Sequence, residues 1–162
     1  MDETEVIFVG GVHGVGKSTY CKTFFTPKGY TCVTASTLIK EASSTSINQS
    51  KKVNDIDRNQ QILINAIENK LNKNNALVID GHFTLINKQN EVTLIDKEVF
   101  FHMKLTRILV LKASPKLVME RLNMRDGSIW TLDFIKQFQI KEIAHAEKIA
   151  SYLGLHLELV NL

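Results

Sequence analysis

Scarcity frames this chain. Its 162 residues include two cysteines, two prolines and one tryptophan. Cys21 and Cys32 form no CxxC or Cys/His spacing, which argues against a zinc-finger or thioredoxin-like protein and leaves them as reduced packing thiols. No apolar run approaches the ~18 residues of a membrane span. A large excess of one charge is also missing. Twenty Lys and Arg against 17 Asp and Glu leave +3, too little for a disordered polyelectrolyte and no clear signal for nucleic acid. No repeat or heptad array is present. The acidic start, Met1 to Glu5, is unlike a signal or transit segment, so the expectation is a cytoplasmic protein with no membrane partner. What is present, 44% hydrophobic residues over this length, suffices for one well-buried domain.

Short apolar runs alternate with helical patterns. Val6–Val9, Tyr30–Thr34, Ala76–Ile79, Arg107–Leu111 and Leu155–Val160 read as strands. Helices are expected from Lys17 to about Phe25, from Ser36 through Ala42, from about Asp55 to Leu71, from Lys97 to Met103, from Ser114 to about Met124, and from Leu132 to Leu153. Arg125-Asp126-Gly127 reads as a break. Phe83–Ile86 and Glu91–Ile95 alternate around Lys88-Gln89-Asn90 and suggest a small hairpin. Alternating strands and helices predict a three-layer α/β domain over residues 1–162 with a mostly parallel sheet.

One segment carries specific chemistry. Gly11-Val12-His13-Gly14-Val15-Gly16-Lys17-Ser18-Thr19 fits G-x-x-x-x-G-K-[ST] at every fixed position, after a strand and before a helix. Gly11, Gly14 and Gly16 allow backbone angles that turn successive N–H groups inward as an anion nest. The following helix adds the positive end of its dipole. Lys17 is expected at the β- and γ-phosphates of ATP, Ser18 on Mg²⁺, and Thr19 by the α-phosphate. His13 and Val15 complete the loop, with His13 on its acceptor side. Asp80 ends a buried strand and is a candidate to hold Mg²⁺ through water.

With these residues in place, the chain resembles the adenylate-kinase-like nucleotide kinases, and most of all the short archaeal type of adenylate kinase. Asp80-Gly81-His82 stands where the archaeal enzymes carry D-T-H. Ser36-Thr37-Leu38-Ile39-Lys40 falls where such kinases often carry a G-D-L-L-R-like segment. Thr84 stands where bacterial members carry an arginine. The resemblance implies a five-stranded P-loop fold of order 2-3-1-4-5. It also implies an acceptor-binding region over about 35–72 and a short lid over about 121–131.

Arg121 and Arg125, spaced i, i+4 on one helix face, are the candidate lid cations for the γ-phosphate. Ser36, Lys40, Arg58 and His82 are the candidate acceptor contacts. Trp130 either stacks on a base or packs the lid. Phe24, Phe25, Phe100, Phe101 and Phe138 are expected in the core. The function expected is an ATP- and Mg²⁺-dependent phosphotransferase with catalytic Lys17, Asp80, Arg121 and Arg125. Its acceptor would be a nucleoside monophosphate or another small molecule. The alternatives are a P-loop ATPase or switch acting on a protein, and a kinase of a non-nucleotide acceptor.

Overall fold

The computed structural model describes residues 4–36, 55–71, 76–127 and 129–162, with the backbone alone for 55–60. Seven strands are described among them: β1 (Glu5–Gly10), β2 (Thr31–Thr34), β3 (Ala76–Asp80), β4 (Thr84–Ile86), β5 (Val92–Leu94), β6 (Arg107–Lys112) and β7 (Leu157–Asn161). The helices are α1 (Lys17–Tyr20), α2 (Asp55–Leu71), α3 (Lys97–His102), α4 (Pro115–Asp126) and α5 (Leu132–Leu153). The helix expected from Ser36 lies mostly outside the described residues.

Five strands form one sheet in the order β2-β3-β1-β6-β7, and every pairing in it is parallel. With the hairpin β4-β5 set aside, that is the order second, third, first, fourth, fifth. The cause is visible in the strands themselves. A parallel strand covered on both faces carries apolar side chains at every position, and alternation sends them to opposite sides. Val6 and Phe8 of β1, Leu77 and Ile79 of β3, and Ile108 and Val110 of β6 enter one core, which α2, α3 and the C-terminal half of α5 cover. Ile7, Val9, Val78, Leu109 and Leu111 enter the other, beneath α4, the start of α5, Cys21 and Phe25.

Four details differ from the sequence expectation. The helix after the glycine-rich loop is regular only over α1, widens into a π turn at Cys21–Phe25 and tightens into a 3-10 turn at Thr26–Lys28. Pro27 is the cause, since it has no N–H to give and its ring crowds the preceding turn. The chain leaves through Gly29 in the left-handed region at φ 93°. The fourth helix does not break at Arg125. It continues to Asp126, and Gly127 closes it at φ 82° with its N–H on the Asn123 carbonyl. The edge strands start later than expected, β2 at Thr31 and β7 at Leu157, and β7 runs one residue further, to Asn161. Phe24 and Phe101 are exposed rather than core. Phe24 stacks on Tyr20 under the Lys28 ammonium instead.

Candidate active site

Phe8 and Phe100 line the floor of the site, with Phe83 packed against both. Phe8 meets Phe83 edge-on at 4.9 Å and Phe100 at 5.3 Å, and Phe83 stacks on Phe100 at 5.0 Å. Such pairs add about 0.5–1.5 kcal/mol each beyond their burial. The carboxyl ends of β1, β2 and β3 open above them into a cleft of about 1530 Å³. The phosphate-type loop, Asp80, His82, Ser36, Arg121 and Arg125 all line it. Lys40 and the Arg58 side chain lie outside the described residues.

The loop leaves β1 at Gly11, whose φ of 146° disfavours a side chain. A Cβ there would also stand 2.9 Å from Val15 Cγ1 and 3.0 Å from the Leu111 carbonyl oxygen. Gly16, at φ 108°, turns the chain into α1. That geometry leaves Lys17 buried, with Nζ donating to the carbonyls of Gly11 at 2.8 Å and Val12 at 3.1 Å. Burial is the main force lowering its pKa to about 8, and the carboxylates of Asp80 and Glu142 oppose it. Among the described residues Lys17 has no carboxylate in ion-pair range, and it is held at the mouth of a turn of left-handed glycines. A polyphosphate would supply the missing charge. Asp80, at the end of β3, is itself raised by burial, with the Lys17 charge working against that rise.

His82 shares the Gly11 carbonyl with Lys17, its Nδ1 lying 2.9 Å from that oxygen. A carbonyl only accepts, so Nδ1 carries the proton and Nε2 keeps the lone pair. Nδ1 is also 3.5 Å from the Lys17 ammonium, but two donors meet there, so this is crowding and not a bond. The His13 ring lies tilted by 49° against that of His82, their centroids 4.0 Å apart. Burial, then the Lys17 charge, hold His82 down to about 3; burial, then Lys17 and Arg125, hold His13 down to about 4. Both imidazoles are neutral near pH 7.

On α4, Arg121 Nη1 donates to the Gly14 and Val15 carbonyls at 3.2 and 3.3 Å, bracing the outside of the loop. Arg125 pairs with its neighbour Asp126 at 3.2 Å. Trp130 is tied to the same turn, its Nε1 donating to Asp126 and its backbone to Asn123. Its ring lies against that of Phe134, the centroids 5.7 Å apart. The connection from α4 to α5 is only a few residues long.

Sequence reading missed three contributors. Gln139 of α5 makes a two-way amide pair with the backbone of Ala113, fixing the chain just past β6. Glu142 of α5 bonds both the loop and the start of β4. The hairpin itself supplies Leu85, Asn87, Thr93 and Leu94 to the cleft. A signal for the first two was present: polar residues at 139 and 142 interrupt the apolar stripe Ile135, Phe138, Ala146, Ile149 of a helix.

A family model described as an AAA domain matches residues 10–136. The chain belongs to that family. No curated protein matches it in sequence. Among solved structures it is similar to a gluconokinase from Sinorhizobium meliloti 1021, with 16% identity over 99% of this chain and 84% of that one and a TM-score of 0.50. A shikimate kinase from Bacteroides thetaiotaomicron has 18% identity over 97% and 85%, with a TM-score of 0.53. A tunicamycin resistance protein from Deinococcus radiodurans has 18% identity over 96% and 99%, with a TM-score of 0.52. At these identities the likeness is one of fold, the adenylate-kinase-like P-loop fold. No helix among the described residues is long and apolar enough to cross a membrane.

Proposed function

We propose that the protein is an ATP- and Mg²⁺-dependent phosphotransferase that moves the γ-phosphate to a small acceptor. The observation that carries this reading is the buried Lys17 ammonium, which donates to the loop carbonyls of Gly11 and Val12 and shares a cleft with Asp80. Phosphoryl transfer demands alignment and charge neutralisation more than covalent chemistry. The loop amides and Lys17 would hold the β- and γ-phosphates. Arg121 and Arg125 would turn from loop carbonyl and Asp126 to the transferred group. Magnesium takes oxygen donors, with one or two from protein beside phosphate and water, and the Ser18 hydroxyl and Asp80 carboxylate in one cleft fit that set. When bound, the ion would offset phosphate charge.

The acceptor would enter between β2 and the hairpin, over about 35–72 and 84–96. Ser36 and the Nε2 lone pair of His82 would receive its hydroxyl protons. Lys40 and Arg58 would suit a nucleoside monophosphate. The gluconokinase and shikimate kinase relatives make a hydroxylated, non-nucleotide acceptor the companion candidate. The test is ADP release with purified protein, ATP and Mg²⁺ against a panel of nucleoside monophosphates, nucleosides, sugars and hydroxy acids. One class is expected to stimulate release at least tenfold. A protein that binds ATP yet responds to none of them would point to the second reading, a nucleotide-dependent switch, which the thin α4-α5 connection favours.

A further inference from the structure

We propose that Glu142 is the positioning residue of the site, its two carboxylate oxygens locking the phosphate loop and the acceptor-side hairpin into one unit. The carboxylate is 1% exposed and lies on α5 between Phe138, which enters one core, and Ala146, which enters the other. The helix passes there over the end of β1. Oε2 accepts from the Gly11 amide at 3.1 Å and the Phe83 amide at 2.8 Å. Oε1 accepts from the Thr84 amide at 2.9 Å and the Thr84 hydroxyl at 2.6 Å. One oxygen therefore joins the first residue of the loop to the residue before β4, and the other holds β4 itself. The approach is made possible by Gly10, where a Cβ would stand 2.3 Å from the Phe83 ring and 3.3 Å from Oε2.

A buried carboxylate is costly unless its lone pairs are filled, and here four donors fill them. Three of those are backbone N–H groups that no strand or helix uses, so the group and its donors satisfy one another. A core built only for stability would place an apolar residue at this helix position. The carboxylate instead fixes the loop's first amide and the hairpin's first turn in mutual register, which is what aligning a donor phosphate with an acceptor requires. It also adds negative charge near Lys17.

This inference rests on the phosphotransferase reading, and its test separates the two. Amide hydrogen exchange and ADP titration calorimetry would be run on wild type, Glu142→Gln and Thr84→Val. In Glu142→Gln an NH₂ replaces one acceptor. The Gly11 and Phe83 amides are expected to exchange at least tenfold faster while those of β3 and β6 stay protected, and ADP affinity should fall about tenfold. In Thr84→Val the carboxylate stays and only the hydroxyl bond is lost. With Oε1 no longer anchored by the hydroxyl, the amide at position 84 should exchange about tenfold faster while Gly11, held by Oε2, stays protected. A folded Glu142→Gln with wild-type Gly11 exchange or wild-type ADP affinity overturns the proposal. Should that variant fail to fold, Thr84→Val decides, and unchanged or sheet-wide exchange there overturns it. A wild type that binds no ADP sinks the phosphotransferase reading, while the exchange result still decides the tie.

Discussion

The two sides of the cleft are built by different means. The phosphate side is backbone and buried polar groups: left-handed glycines, a buried ammonium on two carbonyls, and a carboxylate that bonds three amides. The acceptor side is side chains on a short hairpin, where Leu85 and Leu94 are 49% and 55% exposed. The difference follows from the two tasks. A polyphosphate is stabilised by dipoles that need not reorganise, and backbone held from several directions supplies them. An acceptor is chosen by shape and a few polar contacts, which side chains on a hairpin can exchange without straining the sheet. The first side should therefore tolerate almost no change in function, and the second should change specificity at little cost in stability.

The sharpest way to break the comparison is Lys17→Ala. ADP formation is expected to fall by about 10²–10³-fold, the usual loss when one fixed electrostatic donor is removed. Stability should move by no more than about 1 kcal/mol, because the loss of two hydrogen bonds to loop carbonyls is offset by the loss of a buried, desolvated charge. Steady-state kinetics and urea unfolding measure the two together. An active Lys17→Ala would place the loop in the same class as the hairpin, and an inactive one that is also unfolded would make Lys17 a residue of the fold and not of the site.

How much of this was legible from the chain depends on how local each feature is. The glycine-rich loop encodes its own backbone, so Gly11 to Thr19 could be read residue by residue. The fully apolar strands announced burial on both faces, and from them came the parallel sheet. Asp80 and His82 lie beside the loop because β3 pairs directly with β1. The interrupted apolar stripe marks Glu142 as a polar residue on a buried face, but not what it holds, because the amides at positions 11, 83 and 84 come near it only in the tertiary fold. Arg121 and Arg125 were read as lid cations for the γ-phosphate, and the fold shows Arg121 on loop carbonyls and Arg125 on its neighbour Asp126. Sequence spacing shows which charges share a helix face, but not what that face meets.

A smaller effect tests the phosphate side through acid. His82 and His13 titrate at about 3 and 4 in the folded chain, below the ordinary 6.5. The unfolded chain therefore takes up protons first as pH falls. Their contribution to stability is complete above pH 6.5 and is lost progressively as pH drops through 4 and 3. Between pH 7 and pH 4 the partly buried His82 should account for on the order of 2 kcal/mol of that loss. His82→Gln keeps an N–H donor without the titration, so its urea midpoint should fall less steeply over this range than that of wild type. Parallel profiles would mean that the ring is solvated and free to charge.

The smallest expected effect on the fold belongs to Leu85→Asp. Leu85 pairs with Thr93 across the hairpin, and its carbonyl accepts from the Thr93 hydroxyl at 3.1 Å, so the backbone bonds do not depend on the side chain. A half-exposed position costs about 0.5 kcal/mol or less when changed. The same side chain lines the acceptor half of the cleft, and a carboxylate there would add to the negative charge of Asp80 and Asp96. The acceptor KM should rise by about tenfold or more, while ATP affinity stays within twofold and the melting temperature within a few degrees. A variant that lost ATP affinity instead would show that hairpin and loop respond as one surface, and the division of labour between backbone and side chains would fail at the place where it is most exposed.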